Sequence, residues 1–127
     1  MSTIGAELVR VAAGNVEIHL PFRADLTQQH GFLHAGVTTA VMDSCCGYAA
    51  LSLMPPGAGV LTVEFKTNLL APARGDVLVA RGKVVRAGRT ITVCTADAVM
   101  LTQGAETAVA TMLATIMTIE HRPGVTG

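Results

Sequence analysis

Residues 34–54 read HAGVTTAVMDSCCGYAALSLM, a run of small and apolar side chains that ends at Pro55-Pro56-Gly57. Proline lacks the amide hydrogen a helix needs and its ring clashes with the preceding turn, so this punctuation closes a helix that the spacing predicts over about Gly36 to Leu53. Asp43 is the one formal charge between Asp25 and Glu64. At helical spacing it shares a face with Ala40, Gly47 and Ala50, where a solvated face would carry Lys, Glu or Gln. That face reads as buried. An ionised carboxylate buried without a partner costs roughly several kcal/mol, so a sequence that keeps one there marks a candidate for chemistry. The run approaches the length of a membrane span, but an Asp at mid-bilayer opposes insertion by about 2.5–3.5 kcal/mol. A core helix of a soluble domain is the expectation.

Upstream, Glu7 to Phe22 alternates with period two, most clearly in Val16, Ile18 and Leu20 against Glu17 and His19, and Gly14-Asn15 signals a turn. This predicts one strand or a short hairpin. Asp25 to His34 is polar, contains Gly31, and reads as a loop with room for one helical turn. Downstream, runs rich in Val, Thr, Ile and Leu cover about 60–70, 76–86, 90–102 and 106–120. The breaks at Pro72-Ala-Arg-Gly75, Ala87-Gly88 and Gln103-Gly104 have the spacing of an antiparallel meander. Such a sheet needs a cover, and the helix is the one candidate. Small residues at Ala35, Gly36, Ala40, Gly47, Ala49 and Ala50 would let it approach closely. The expectation is an α+β fold, an antiparallel β-sheet wrapped around one central α-helix, as a single domain over 1–127 with a frayed tail from His121 to Gly127.

Composition bounds the partners. The chain has 127 residues with nine basic and nine acidic side chains and a pI of about 6.9, so it offers no net field for nucleic acid or an anionic membrane surface. Half of its residues are hydrophobic and only 3% aromatic. A chain this small and apolar has more greasy surface than one protomer can hide, which predicts a homo-oligomer. The three cysteines, Cys45, Cys46 and Cys94, are odd in number and do not form a disulfide framework. The first residues lack the basic start and apolar run of a secretory signal, and a cytoplasmic location is expected. His30 and His34 lie four apart, but the central Glu and third ligand of a helical metal motif are missing, and no metal is expected. Cys45 reads as a core residue rather than a nucleophile.

The string Gln28-Gln-His-Gly-Phe-Leu-His34-Ala-Gly36, Asp43 nine positions after His34, and Val63-Glu-Phe-Lys-Thr-Asn-Leu-Leu-Ala-Pro72 on the next strand together resemble the hotdog-fold acyl-CoA thioesterases of the phenylacetate-degradation (PaaI-like) type. The resemblance covers nearly the whole chain. Gln28, Gly31, His34, Gly36 and Asp43 stand at the family's offsets, while Ala35 replaces the first Gly of its His-Gly-Gly. Because a backbone N–H is the group used there, Ala can supply it.

The resemblance implies cofactor-free hydrolysis of acyl-CoA in sites shared between the subunits of a dimer or a dimer of dimers. Asp43 would act as general base or nucleophile. The free amides of Ala35 and Gly36 at the positive end of the helix would polarise the carbonyl. Gln28 would contact the thioester or its water, His34 would orient the helix start, and Thr62 would help hold the water. Gly31 and Phe32 belong to the substrate loop, and Lys83, Arg86, Gly88 and Arg89 surround a turn near which the family binds coenzyme A phosphates. Asp43 lies about 10 Å along the helix from its start, too far to serve the same carbonyl comfortably. Two antiparallel helices across a twofold axis could bring it to the helix start of a neighbour. Met42, Tyr48, Phe32 and Leu61 are the expected pocket lining. The alternatives are a dehydratase or hydratase on the same fold, and a non-catalytic acyl-CoA sensor.

Overall fold

In the computed structural model, residues 1–120 are described, and the expected frayed tail, 121–127, lies outside them. Short 3-10 turns cover Ser2–Ile4 and Ala24–Leu26. The strands are β1 (Glu7–Ala12), β2 (Asn15–Pro21), β3 (Gly59–Leu69), β4 (Val77–Ala87), β5 (Ile91–Thr102) and β6 (Ala105–Ile119), and the helix α1 spans Ala35–Leu51. The sheet is six-stranded with order β1-β2-β4-β5-β6-β3, every pair antiparallel.

The alternating pattern does what it predicts. Val16, Ile18 and Leu20 of β2 are buried, as are Cys94, Ala96, Ala98 and Met100 of β5 and Met112, Ala114 and Ile116 of β6. The helix lays Thr38, Val41, Met42, Cys45, Cys46, Ala49 and Ala50 against them, the spacing of a wide apolar stripe. Closest approach comes at β4, where a Cβ on Gly82 would stand 2.8 Å from the backbone carbon and oxygen of Cys45. Only glycine fits there. One helix packed on a six-stranded antiparallel sheet is the hotdog arrangement that the sequence resemblance implies.

The structure decides one alternative of the sequence reading and changes one pairing. Glu7 to Phe22 is the short hairpin, β1 and β2 joined at Ala13-Gly14 with Gly14 at φ +72°, so the strands among the described residues number six. The meander holds only for β4, β5 and β6. Strand β3 pairs with β6 at the far edge instead of with β4, because β4 already has β2 on one side and β5 on the other. The chain must therefore cross from the end of β3 to the start of β4, and residues 70–76 make that crossing beneath the first turn of the helix.

Strand β3 is an open edge. Leu61, Val63, Phe65 and Leu69 are each about half exposed or more. A register shift between Thr62 and Glu64 inserts Val63 as a β-bulge against β6. Among the described residues no helix is long and apolar enough to cross a membrane.

Candidate active site

The helix start is held by its own loop. Gln28 N–H donates to the Phe32 carbonyl at 2.8 Å, and Gly31 N–H to the Gln28 carbonyl at 3.1 Å. The Gln28 side-chain Oε1 accepts the N–H groups of His30 at 2.5 Å and Phe32 at 3.3 Å. With its oxygen engaged in this way, Gln28 keeps only its Nε2 hydrogens for a ligand. Gly31, at φ +83°, occupies the left-handed region that lets this turn close without strain.

His34 is the N-cap, and its Nδ1 accepts the N–H of Gly36 at 3.0 Å. An accepting Nδ1 puts the ring hydrogen of a neutral imidazole on Nε2. The His34 carbonyl takes the N–H groups of Val37 and Thr38 at 2.9 and 3.3 Å. Of the two amides expected to polarise a carbonyl, Gly36 is thus engaged in the cap, and Ala35 N–H has no acceptor among the described residues.

Ala35 borders a cavity of about 580 Å³ between the site loop and the crossover segment. Gln28, Phe32, His34 and Ala35 line one side, with Leu69, Leu70, Pro72 and Val109 on the other. A second cavity of about 300 Å³ lies across His34, bounded by Ile4, Gly36, Val37 and Ala40. Neither is lined by a charged side chain.

Asp43 stands elsewhere. It lies eight residues beyond Ala35, about 12 Å along the helix, and Thr62 Oγ1 of β3 donates to its Oδ1 at 2.7 Å. Its Oδ2 has no partner among the described residues. The expected dry face is only partly so: Gly47 and Ala50 are buried, but Asp43 and Ala40 are half-buried. The cause is β3, which flanks this side of the helix and ends the sheet there, so no further strand covers the carboxylate.

The expected pocket residues fall in three different places in one protomer. Phe32 does line the large cavity, but Met42 is fully buried in the core, and Tyr48 and Leu61 are exposed away from it. Small helix residues made the core side and the open side look alike in sequence. The walls that were missed, Leu69, Leu70 and Pro72, come from the crossover, whose one sequence signal is the Pro72 to Gly75 break.

Lys83, Arg86, Gly88 and Arg89 are exposed at the other end of β4. At roughly 3.3 Å per residue that end is about 30 Å from the start of the strand, where the cavity sits. Gly88 N–H closes the turn on the Ile91 carbonyl at 2.9 Å, and a Cβ on Gly88 would collide with that same oxygen. One protomer therefore brings together Gln28, Gly31, Phe32, His34 and Ala35, pairs Asp43 with Thr62, and leaves the basic turn remote.

The thiols are inert. Burial pushes Cys45 up to about 12 and Cys94 up to about 11, and it raises Cys46 as well. Thiolate, the nucleophilic form, is scarce at such values. No group of three or more His, Cys, Asp or Glu side chains converges as a metal site among the described residues.

Comparison with known proteins bears on this arrangement. Residues 30–107 match the family model described as the thioesterase superfamily. A solved thioesterase family protein from Silicibacter pomeroyi is 52% identical, with a TM-score of 0.93 over 95% of this chain and 89% of its own. A Halobacterium salinarum protein with a provisional esterase name is 31% identical over 96 residues, 72% of this chain; the match spans 63% of that relative's length. The 1,4-dihydroxy-2-naphthoyl-CoA hydrolase of Listeria monocytogenes is 26% identical over 88 residues, 69% of this chain and 72% of that protein. The matched segment contains the helix start, Asp43 and Thr62, and the chain belongs to the thioesterase superfamily.

Proposed function

We propose that the chain hydrolyses acyl-CoA thioesters to a free acid and coenzyme A, in a site completed by a second copy of itself. The observation that carries this reading is the Ala35 N–H at the positive end of α1, which has no acceptor among the described residues, in a residue that lines an uncharged cavity together with Gln28. Such donors stabilise an oxygen that becomes negative, each by roughly 10² to 10³ in rate. Gly36 would join them only if His34 turned out of its cap.

The base is Asp43. Two β3 edges paired antiparallel would continue the sheet, cover the exposed Leu61, Val63 and Phe65, and run the two helices in opposite directions. Asp43 of one protomer would then face the helix start of the other. The same symmetry would bring Lys83, Arg86, Gly88 and Arg89 of one copy toward the cavity of its neighbour, where coenzyme A phosphates could meet them.

In the base route, Asp43 Oδ2 takes a proton from water while the water oxygen bonds to the thioester carbon. The negative oxygen rests on Ala35 N–H and Gln28 Nε2. The intermediate collapses, the carbon–sulfur bond breaks, and the thiolate leaves. In the nucleophilic route the carboxylate bonds to the carbon first, the thiolate leaves, and water cleaves the resulting anhydride. Label found in Asp43 by mass analysis of the protein after a single turnover in ¹⁸O water identifies the second route, in which water attacks the Asp43 carbonyl of the anhydride.

Thiol release from a panel of aryl, short-chain and medium-chain acyl-CoAs tests the reading. Release with at least one class is expected. A protein that binds acyl-CoA and frees no thiol from any of them is not a thioesterase.

A further inference from the structure

We propose that Arg74 grips the phosphate next to the pantetheine arm of the thioester carrier, an inference that rests on the thioesterase reading above. The cavity beneath the helix start has no charge in its walls. Arg74 stands at its rim: its Nη1 lies 3.6 Å from where a Cβ on Gly31 would be, against the bare turn of the site loop. The chain neighbours on both sides of this contact, Gln28 and Phe32 on one and Pro72 and Ala73 on the other, line the cavity. The mounting is firm, since Leu33 N–H donates to the Ala73 carbonyl at 2.9 Å and ties the turn to the loop.

Arg74 has no ion pair among the described residues. Asp76, two residues along the chain, is engaged with the N–H of Gln103. A guanidinium without a carboxylate, at the mouth of an uncharged pocket, suits an oxyanion taken in bidentate fashion. The apolar walls suit the acyl half of the substrate, so the anion belongs to the carrier half. Arg86 and Arg89 of the same protomer, about 30 Å away along β4, cannot fill this role.

Steady-state kinetics of full-length Arg74→Ala against wild type, with three thioesters of one acyl group, tests the assignment. On acyl-CoA, KM should rise about fivefold to tenfold with kcat within twofold, and Arg74→Lys should recover part of the loss. On the acyl-N-acetylcysteamine thioester, which lacks phosphate, both constants should stay within twofold. An equal loss on both substrates would overturn the proposal and assign Arg74 to cavity shape or to the acyl group. The third arm is the same acyl group on a phosphopantetheinylated carrier protein: a larger effect there than on acyl-CoA makes the carrier-protein phosphate the natural ligand, and a smaller one makes it coenzyme A. Calorimetric binding of free coenzyme A keeps the test independent of turnover. Wild-type binding that Arg74→Ala weakens by a similar factor supports the contact even if no thioester is cleaved, whereas unchanged affinity, or no binding by wild type, removes it.

Discussion

Thr62 and Asp43, one on the edge strand and the other on the helix, are joined by a 2.7 Å hydrogen bond from the hydroxyl to Oδ1. The bond fixes the carboxylate's rotation and leaves Oδ2 as its open acceptor. If Oδ2 is the base, Asp43→Asn lowers kcat at least a hundredfold with KM little changed. Thr62→Val, which keeps the shape and removes the donor, lowers kcat about tenfold, and Thr62→Ser restores most of it. A Thr62→Val protein with wild-type kcat would show that the orientation is irrelevant.

A shared site predicts complementation. Asp43→Ala and Gln28→Ala homo-oligomers should each be nearly inactive. Subunits mixed by unfolding and refolding should regain activity, because half of the sites in a mixed dimer lack both substitutions. Native mass spectrometry verifies the mixing. Mixed dimers without activity would count against the twofold arrangement.

The contact between Gly82 and Cys45 predicts a stability defect. A methyl group on Gly82 would sit 2.8 Å from the Cys45 backbone, so Gly82→Ala must push helix and strand apart. It should cost about 1–3 kcal/mol, read as a lower urea midpoint at unchanged slope. An unchanged midpoint would mean that the helix and β4 are not in backbone contact.

Glu17 predicts a pH dependence. His19, 2.7 Å away, and Arg81, 2.9 Å away, hold its carboxyl below the ordinary range, the hydrogen bond from His19 being the largest cause. A carboxyl lowered in the folded state stabilises fully above its unfolded value, and loses that contribution as pH falls through the folded one. Wild type should therefore lose up to about 1 kcal/mol relative to Glu17→Gln between neutral pH and about pH 3. Parallel acid titrations of the two proteins would dismiss the pair.

The elements were legible and their neighbours were not. The period of Val16, Ile18 and Leu20, and the Pro55-Pro56-Gly57 stop, carry local information that one chain segment decides alone. Whether β3 pairs with β4 or β6 depends on β2 having taken the side of β4, a fact held 40 residues away. The site followed the same division. Gln28, His34 and Ala35 sit on one continuous loop and helix start, and Asp43 stood out as a solitary charge. That its face lies open beside β3 was hidden, because Ala40 and Gly47 look the same whether covered or not. Arg74 was hidden for a like reason, since the crossover alone carries it to Gly31.

The bulge at Val63 links two distant halves of one strand. In an unbroken strand, even-numbered and odd-numbered side chains point to opposite faces, yet Thr62 meets the helix and Leu69 lines the cavity on the same one. The extra residue flips the parity between them. Deleting Val63 would restore regular pairing and turn either the threonine or the leucine outward, so this one-residue irregularity is a phase-setter that substitution can tolerate and deletion cannot.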